Sequence, residues 1–173
     1  VADAPENVEA VELLRRALTD SKAQSTNATL ESLQQAVFAN QANTVLVDLL
    51  AGVQVRMGKT DDAVKTLKSS IQNNSSDKNS VANLQVSLGD IYIQANRPAE
   101  AITAYEDSLK TFGITNSPLT TEEEREFATK VFEKMIQAYK TSGKVNEARA
   151  TIERARLVLG NSELFSDKQL VSL

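Results

Sequence analysis

The chain has 173 residues, of which 41% are hydrophobic and 24% are charged, a composition typical of a folded globular protein. It contains neither Cys nor His, which excludes disulfides and thiolate metal sites and removes the side chain most often used as a general base. The net charge of −4 argues against the broad positive surface that nucleic acids require, and no apolar run is long enough to cross a bilayer. We therefore expect no enzyme, no cofactor, no metal and no nucleic-acid partner.

Apolar residues recur at helical spacing along almost the whole chain, and no sustained segment alternates with a period of two. Three segments share a pattern in which a turn residue is followed by an Ala and then, four positions later, by a larger apolar residue. These segments are GKTDDAVKTL, NRPAEAITAY and GKVNEARATI, which begin at Gly58, Asn96 and Gly143. Because Gly and Asn tolerate the left-handed conformation that ends a helix, each segment predicts the end of one helix and the start of the next.

The residues that open the second helix of each pair are also predictable. Asp61 and Asn146 are of the types that cap helix N-termini, and Pro98 suits a first turn because its missing N–H has no partner there. We expect Asp61 and Asn146 to act as caps. The chain is thus predicted to be a series of helical hairpins.

The hairpins recur with a measurable spacing. Ala17 and Ala51 lie 34 residues apart, whereas Ala63 and Ala101 are separated by 38 and Ala101 and Ala148 by 47. The longer intervals predict a short insertion between the second and third units and a longer one before the fourth. A helix–turn–helix unit of 34 residues is the sequence signature of tetratricopeptide repeats.

The chain resembles the tetratricopeptide repeat family at the positions that pack each hairpin. The third and fourth units carry the family's small and bulky packing residues at Leu88, Gly89, Tyr92, Ala101, Tyr105, Phe132, Tyr139, Gly143, Ala148 and Ala155. The resemblance implies an all-α fold, a right-handed α-solenoid of antiparallel helix pairs. In chain order, the units are expected near 10–43, 44–77, 82–115 and 129–162. Residues 163–173 are expected to form a capping helix or the start of a truncated further repeat.

Gly89 lies inside a predicted helix, where glycine costs about 1 kcal/mol of helix propensity relative to Ala. We expect this position to stay small so that the second helix of the pair can approach, with Ala101 and Tyr105 packing over it. Ala17 and Ala51 would play the same part in the first two units. Gly89 is therefore interpreted as a packing residue and not as part of a chemical site.

The densest charge cluster is TTEEEREF, at residues 120–127. A metal or basic-partner site is one interpretation of it. We favour a helix N-terminus, with Thr120 or Thr121 as the cap and the glutamates at the positive end of the helix dipole. The polar segment NNSSDKNS, at residues 73–80, is predicted to be a surface linker between two units.

In this family the first helices of the units line a concave surface where ligand peptides lie, so the resemblance implies a protein-binding module. The candidate binding residues on these helices are Asp48, Arg56, Asn83, Ser87, Asp90, Gln94, Lys130, Lys134 and Gln137. Residues 129–162 contain seven Lys or Arg and three Glu, which makes the last unit a basic patch. Lys130 and Lys134 predict an anchor for an acidic segment, and an ordinary solvated face is the alternative.

A family subtype binds the C-terminal tails of Hsp70 and Hsp90 through a clamp of Lys and Asn residues from three successive units. Lys130 and Lys134 match the positions of the third unit, but Asp48, Gly52 and Ser87 stand at the remaining ones. The incomplete clamp argues against an Hsp70 or Hsp90 tail as the partner.

Other functions remain as alternatives to a peptide-binding module. The chain could be a structural spacer or a self-associating segment of a larger multidomain protein. Residues 132–155 also resemble a pentatricopeptide unit, which binds single-stranded RNA, but the acidic charge and the 34-residue spacing argue against this interpretation. A cysteine-free chain suits reducing and oxidising compartments alike, so cytoplasmic and periplasmic locations both stay open.

Overall fold

The computed structural model describes residues 27–160, and all of the regular secondary structure in this range is α-helical. Its helices are α1 (Asn27–Ala39), α2 (Thr44–Arg56), α3 (Thr60–Asn73), α4 (Lys78–Gln94), α5 (Pro98–Phe112), α6 (Glu122–Thr141) and α7 (Val145–Leu159). The predicted all-α fold class is confirmed. The start of the predicted first unit, with Ala17, and the predicted helix at 163–173 lie outside the described residues. The division into four repeats stays a prediction.

The chain divides between Ser75 and Ser76 into two compact units. In the first unit, α1 and α2 join their apolar stripes because each carries aliphatic side chains at helical spacing. The buried cluster between them consists of Leu30, Leu33, Leu46, Leu50 and Val53. Helix α3 adds Ala63 and Leu67, both of which are fully buried.

The second unit contains α4 to α7. Its largest fully buried side chains lie on α5, α6 and α7 and are Tyr105, Leu109, Phe132, Met135 and Ile152. The ring of Phe112 at the end of α5 stacks on Phe127 near the start of α6, with 4.1 Å between the ring centroids. Aromatic residues are few in this chain, and Tyr105, Phe112, Phe127 and Phe132 all lie in the second unit.

The three turns predicted from Gly58, Asn96 and Gly143 have the expected left-handed backbone, with φ of 73°, 56° and 69°. In each turn the next N–H donates to the carbonyl five positions back, at 2.8–2.9 Å. These bonds satisfy carbonyls at the end of the first helix that would otherwise lack partners. The prediction of these turns is confirmed.

The prediction of the caps is only partly right. Pro98 occupies the first turn of α5, as expected. Asp61 and Asn146 are not caps, because α3 and α7 begin two residues after the left-handed glycine and the cap positions fall on Lys59 and Lys144. Neither lysine makes a side-chain cap hydrogen bond. Asp61 instead lies in the first turn of α3, where its charge is favourable at the positive end of the helix dipole.

Gly89 lies on α4 directly against the ring of Tyr105 on α5. A Cβ atom added to Gly89 would lie 2.3 Å from Cε1 of Tyr105 and 2.6 Å from Cδ1, inside any allowed contact distance. Ala101 is fully buried on the same helix as Tyr105. The predicted packing of Tyr105 over Gly89 is confirmed, because the tyrosine ring occupies the space of the missing side chain.

Gln54 of α2 is buried, with 4% of its surface exposed. Its side-chain oxygen accepts a hydrogen bond of 3.0 Å from the hydroxyl of Thr66 on α3. A buried carboxamide without a partner would cost free energy, so this bond lets α2 keep a polar residue inside the hairpin.

The connection between α5 and α6, residues 113–121, is folded against α7. The Nε of Arg154 donates to Oδ1 of Asn116 at 3.1 Å, and the N–H of Leu119 donates to the carbonyl of Val158 at 2.9 Å. The guanidinium of Arg125 donates to the carbonyl of Leu119 at 2.9 Å. This connection is therefore bound at several points along its length.

The glutamate-rich segment is a helix N-terminus, as favoured from the sequence. The hydroxyl of Thr121 accepts from the N–H of Glu124, and the carboxylate of Glu124 accepts from the N–H of Thr121, which forms a capping box at the start of α6. These hydrogen bonds lower the pKa of Glu124 because they stabilise its charged form. The predicted linker at 73–80 is shorter than expected, since α4 already begins at Lys78 with Asp77 as its cap.

Candidate functional site

The predicted binding residues fall on three helices. Asp48 and Arg56 lie on α2 in the first unit, and both are exposed. In the second unit, one stripe runs along α4 and another along α6, because the spacings within each set bring its members to one face of the helix. The stripe on α4 contains Asn83, Ser87, Asp90 and Gln94, and the stripe on α6 contains Lys130, Lys134 and Gln137.

A groove of about 510 Å³ separates the α4 and α6 stripes near the C-terminal ends of these helices. It is lined by Asp90, Ile93, Gln94, Tyr105, Lys134, Gln137, Ala138 and Thr141. Four of the nine predicted residues, two from each stripe, therefore share one concavity. Helix α5 contributes Tyr105, whose ring also contacts Gly89.

A polar network crosses this groove. The hydroxyl of Tyr105 donates to Oδ1 of Asp90 at 2.7 Å. The ammonium of Lys134 lies 2.7 Å from Oδ1 and 2.9 Å from Oδ2 of the same carboxylate. Asp90 thus joins α4 to α5 through the tyrosine and to α6 through the lysine.

The environment of Tyr105 favours its neutral form. Burial of the ring raises the pKa of the phenol, and the hydrogen bond to the Asp90 carboxylate and its negative charge raise that pKa further. The hydroxyl therefore remains a donor to Asp90 at neutral and moderately alkaline pH. The Asp90–Lys134 pair is partly accessible, with 38% and 30% of the two side chains exposed.

Lys130 does not line the same groove as Lys134. It borders a second concavity of about 460 Å³ along the N-terminal half of α6. The residues around this concavity are Glu122, Arg125, Glu126, Thr129, Lys130, Glu133 and Leu159. The two lysines predicted to form one anchor therefore line different concavities, and glutamates surround Lys130.

The other candidates lie along the helices without lining the groove. The side-chain amide of Asn83 donates to the carbonyl of Asn79 one turn earlier, at 2.9 Å, and Ser87 is half-buried. Arg56 extends back along α2 towards Gly52, where an added Cβ would lie 3.8 Å from its Nη1. The binding roles of Asp48, Arg56, Asn83, Ser87 and Lys130 remain predictions.

Sequence reasoning missed three features of the groove. Tyr105 was assigned to packing alone, although a buried tyrosine hydroxyl requires a hydrogen-bond partner and Asp90 directly follows the glycine beneath the ring. Ile93, which is 38% exposed, was not singled out because an isolated exposed aliphatic residue is common on protein surfaces. The pairing of Asp90 with Lys134 had no sequence signal, since 44 residues separate them.

Residues 27–160 include no helix that is long and apolar enough to cross a membrane. Nor does this range bring together three acidic side chains in a cluster that could hold a metal ion.

Comparison with known proteins identifies the family. The sequence profile described as Tetratricopeptide repeat-like domain matches residues 7–121, which is more than half of the chain. The chain belongs to this tetratricopeptide repeat-like family. Repeat proteins of this type are generally non-enzymatic scaffolds, and the fold indicates a scaffold for protein–protein interaction with protein partners. No curated protein sequence matches the chain.

Several solved structures share the fold. A crystal structure of MamA protein aligns with a TM-score of 0.58 and 20% identity, over 88% of this chain and 73% of that one. MamA AMB-1 aligns with a TM-score of 0.54 and 20% identity, over 90% of each chain. TTC0263, a thermophilic TPR protein in Thermus thermophilus, aligns with a TM-score of 0.56 and 17% identity, over 94% of this chain and 88% of that one. At these identities the likeness concerns the fold alone.

Proposed function

We propose that this tetratricopeptide protein is a non-enzymatic interaction module that binds an extended segment of a partner protein in the groove between α4 and α6. This groove would be part of the concave face on which the family binds its ligands. The observation that carries the proposal is the convergence of Asp90, Gln94, Lys134 and Gln137, all predicted from the sequence as binding residues, on one groove of about 510 Å³.

The chemistry of the groove supports an extended peptide as the occupant. Gln94 and Gln137 are exposed carboxamides on opposite walls, and each offers both donors and an acceptor. An extended chain presents unpaired N–H and C=O groups that such side chains can bind. Ile93 and Ala138 add apolar surface between them. The groove is thus suited to main-chain recognition with modest apolar contact.

Selection from a phage-displayed library of random dodecapeptides tests this function. The enriched peptides would be measured against the wild type, the variant Gln94→Ala/Gln137→Ala, and the control Asp107→Ala/Lys110→Ala. The control removes two exposed residues of α5 outside the groove and leaves the net charge unchanged. We expect the groove variant to bind about tenfold more weakly, equivalent to about 1.4 kcal/mol, and the control to bind like the wild type. Equal binding by all three proteins would contradict the proposal.

Self-association is the second candidate function. The side chain of Phe38 at the end of α1 is 80% exposed, and Val45 at the start of α2 is 47% exposed. A contiguous exposed apolar patch is a typical contact surface for a second chain, and these two side chains are candidates for such a patch. Sedimentation of the wild type and of Phe38→Ser over a range of concentrations would test this. A mass that does not change with concentration in either protein would exclude it.

A further inference from the structure

We propose that the Asp90–Lys134 ion pair determines which ligands the groove accepts, so that it binds extended uncharged segments and rejects acidic ones. The inference rests on the proposed function, because it concerns the ligand of the same groove. It opposes the acidic partner that Lys130 and Lys134 predict from the sequence. That acidic partner stays a prediction, and the two ideas make different forecasts for the same peptides.

Lys134 is already engaged within the chain. Its ammonium contacts both oxygens of Asp90, at 2.7 and 2.9 Å, so it is directed at this carboxylate. Hydrogen bonds between oppositely charged groups are about twice as strong as neutral ones. A ligand carboxylate would have to compete with Asp90 for the Lys134 ammonium, which the folded chain already holds against Asp90.

An acidic ligand would also meet the charge of Asp90 itself. The carboxylate of Asp90 also accepts a hydrogen bond from the Tyr105 hydroxyl at 2.7 Å, so it cannot withdraw without breaking this bond. Among residues 27–160, the formal charges of the side chains that line the groove sum to zero, with one carboxylate and one ammonium. A second carboxylate in the groove would therefore lie close to a like charge, which is unfavourable.

Lys130 does not supply the missing positive charge. It lies along the N-terminal half of α6, in a concavity that also contains Glu122, Glu126 and Glu133. These carboxylates outnumber the two basic side chains, Arg125 and Lys130, around that concavity. Within the part of the chain that the structure describes, neither of these two concavities therefore has an excess of basic over acidic lining residues.

Uncharged segments avoid these penalties. The side chains of Gln94 and Gln137 can bind the backbone of an extended peptide without disturbing the ion pair. The Lys134 ammonium has three donors, so a proton that does not bind Asp90 remains able to donate to a carbonyl. Ile93 provides a partly exposed apolar contact for a small aliphatic side chain. The preferred occupant is an extended segment that combines uncharged polar residues with small aliphatic ones.

Two pools of fluorescein-labelled octapeptides with blocked termini distinguish the forecasts when titrated with the full chain and followed by fluorescence anisotropy. Both pools carry Val or Ala at alternate positions. The remaining positions are Ser, Thr, Asn or Gln in the neutral pool and Asp or Glu in the acidic pool. We expect the wild type to bind the neutral pool more tightly than the acidic one.

The decisive variant is Asp90→Asn. Its side-chain oxygen still accepts from Tyr105, but Lys134 loses its carboxylate partner and becomes available to a ligand. We expect binding of the acidic pool to become about tenfold tighter, because the ligand gains a charge-assisted hydrogen bond from the released ammonium. The double variant Asp90→Asn/Lys134→Gln should lose this gain, because it removes the ammonium.

Asp107→Asn is the matched control. It removes the same charge from an exposed position of α5 that does not line the groove. Its ranking of the two pools should equal that of the wild type. If Asp107→Asn produced the same gain, a general change in net charge would be responsible and the inference would be wrong.

The remaining outcomes separate the inference from the proposed function. If the wild type binds the neutral pool and Asp90→Asn leaves the ranking unchanged, the groove is a binding site but the ion pair does not select its ligand. If the wild type binds neither pool and Asp90→Asn binds the acidic pool through Lys134, the ion pair blocks acidic ligands but the proposed function fails. If neither protein binds either pool, both ideas are overturned.

Discussion

The α2–α3 and α4–α5 hairpins solve the same packing problem with different side chains. A shift of 38 residues, the spacing between Ala63 and Ala101, aligns Ala51 with Gly89 and Leu67 with Tyr105. All of these residues are buried. In α4–α5 the larger ring is accompanied by the smallest residue, whereas in α2–α3 a smaller Leu is accompanied by Ala. In each pair, a larger side chain on one helix is accompanied by a smaller one on the other, so the interior stays close-packed.

The polar residues of the two hairpins differ in the same way. The shift aligns Asp90 with Gly52, so the α2–α3 hairpin has no carboxylate where α4–α5 binds its tyrosine hydroxyl. It instead contains the buried Gln54, which is aligned with Tyr92 and is bound by Thr66. A change from Leu to Tyr thus introduces a hydroxyl that needs a partner, and that partner is also the acceptor for Lys134. The groove chemistry of α4–α5 follows from its packing.

The largest expected effect comes from a substitution that disrupts the packing of the Tyr105 ring against Gly89. We expect Gly89→Ala to lower the free energy of unfolding by about 2 kcal/mol, because the cost of overpacking exceeds the gain in helix propensity. The double variant Gly89→Ala/Tyr105→Leu, which copies the Ala–Leu pair of α2–α3, should recover most of this loss. Urea denaturation followed by circular dichroism measures both. A Gly89→Ala protein as stable as the wild type would refute this packing role.

The buried hydrogen bond of the α2–α3 hairpin gives the next effect. Thr66→Val leaves the side-chain oxygen of Gln54 without its donor, and we expect a loss of about 1 to 2 kcal/mol in the free energy of unfolding. Gln54→Met removes the buried polar group instead and leaves the half-buried Thr66 able to bind water, so its cost should be smaller. The same denaturation experiment would reject this account if Gln54→Met were the more damaging change.

The starts of α6 and α3 offer a second comparison, between a helix with a side-chain cap and one without. Thr121→Ala removes the cap of α6 and should lower the free energy of unfolding by about 1 kcal/mol. Lys59→Ala changes the cap position of α3, where no side-chain hydrogen bond exists, and should have almost no effect. Equal effects in thermal or urea unfolding would show that the capping box contributes nothing.

The smallest expected effect is a dependence of stability on alkaline pH. The pKa of Tyr105 in the folded chain is raised above that of an unfolded tyrosine, so the protonated phenol stabilises the fold and this contribution is present below the unfolded pKa. It begins to decline as the pH rises above about 10, the pKa of an unfolded tyrosine, and continues to decline until the pH passes the raised pKa of the folded chain. We expect Tyr105→Phe to weaken the decline in unfolding free energy between about pH 9 and pH 11, whereas Tyr139, whose pKa is also raised, remains in both proteins. Parallel declines would contradict the assignment.

The sequence predicted the hairpins well because their determinants are local. Gly58, Asn96 and Gly143 reveal the turns through backbone conformation alone, and Gly89 stands out because a helix interior has no local use for glycine. The caps at Asp61 and Asn146 were mispredicted because residue type does not specify at which position a short turn ends. A cap depends on one or two residues of register, which is the least predictable property of a helix.

The groove was predictable in its location but not in its chemistry. Placing Asp90, Gln94, Lys134 and Gln137 on facing surfaces requires only helical periodicity and the resemblance to the repeat family. The ion pair depends on the distance between two helices that are not consecutive in sequence, and the irregular repeat spacing hides the register between them. The number of basic residues between 129 and 162 therefore predicted a basic surface. The positions of Asp90 and Lys134 in the structure instead indicate a groove without net charge.

The connection at residues 113–121 matters for any experiment that inserts residues into this chain or cleaves it. It is the longest connection between helices in residues 27–160, and by length alone it would be chosen for an inserted tag or a protease site. Its Leu119 N–H nevertheless supplies the partner of the Val158 carbonyl, near the end of α7, where no hydrogen bond from the helix itself is available. An insertion there would separate α7 from one of its attachments. In this chain, the length of a connection therefore does not indicate how well it tolerates an insertion.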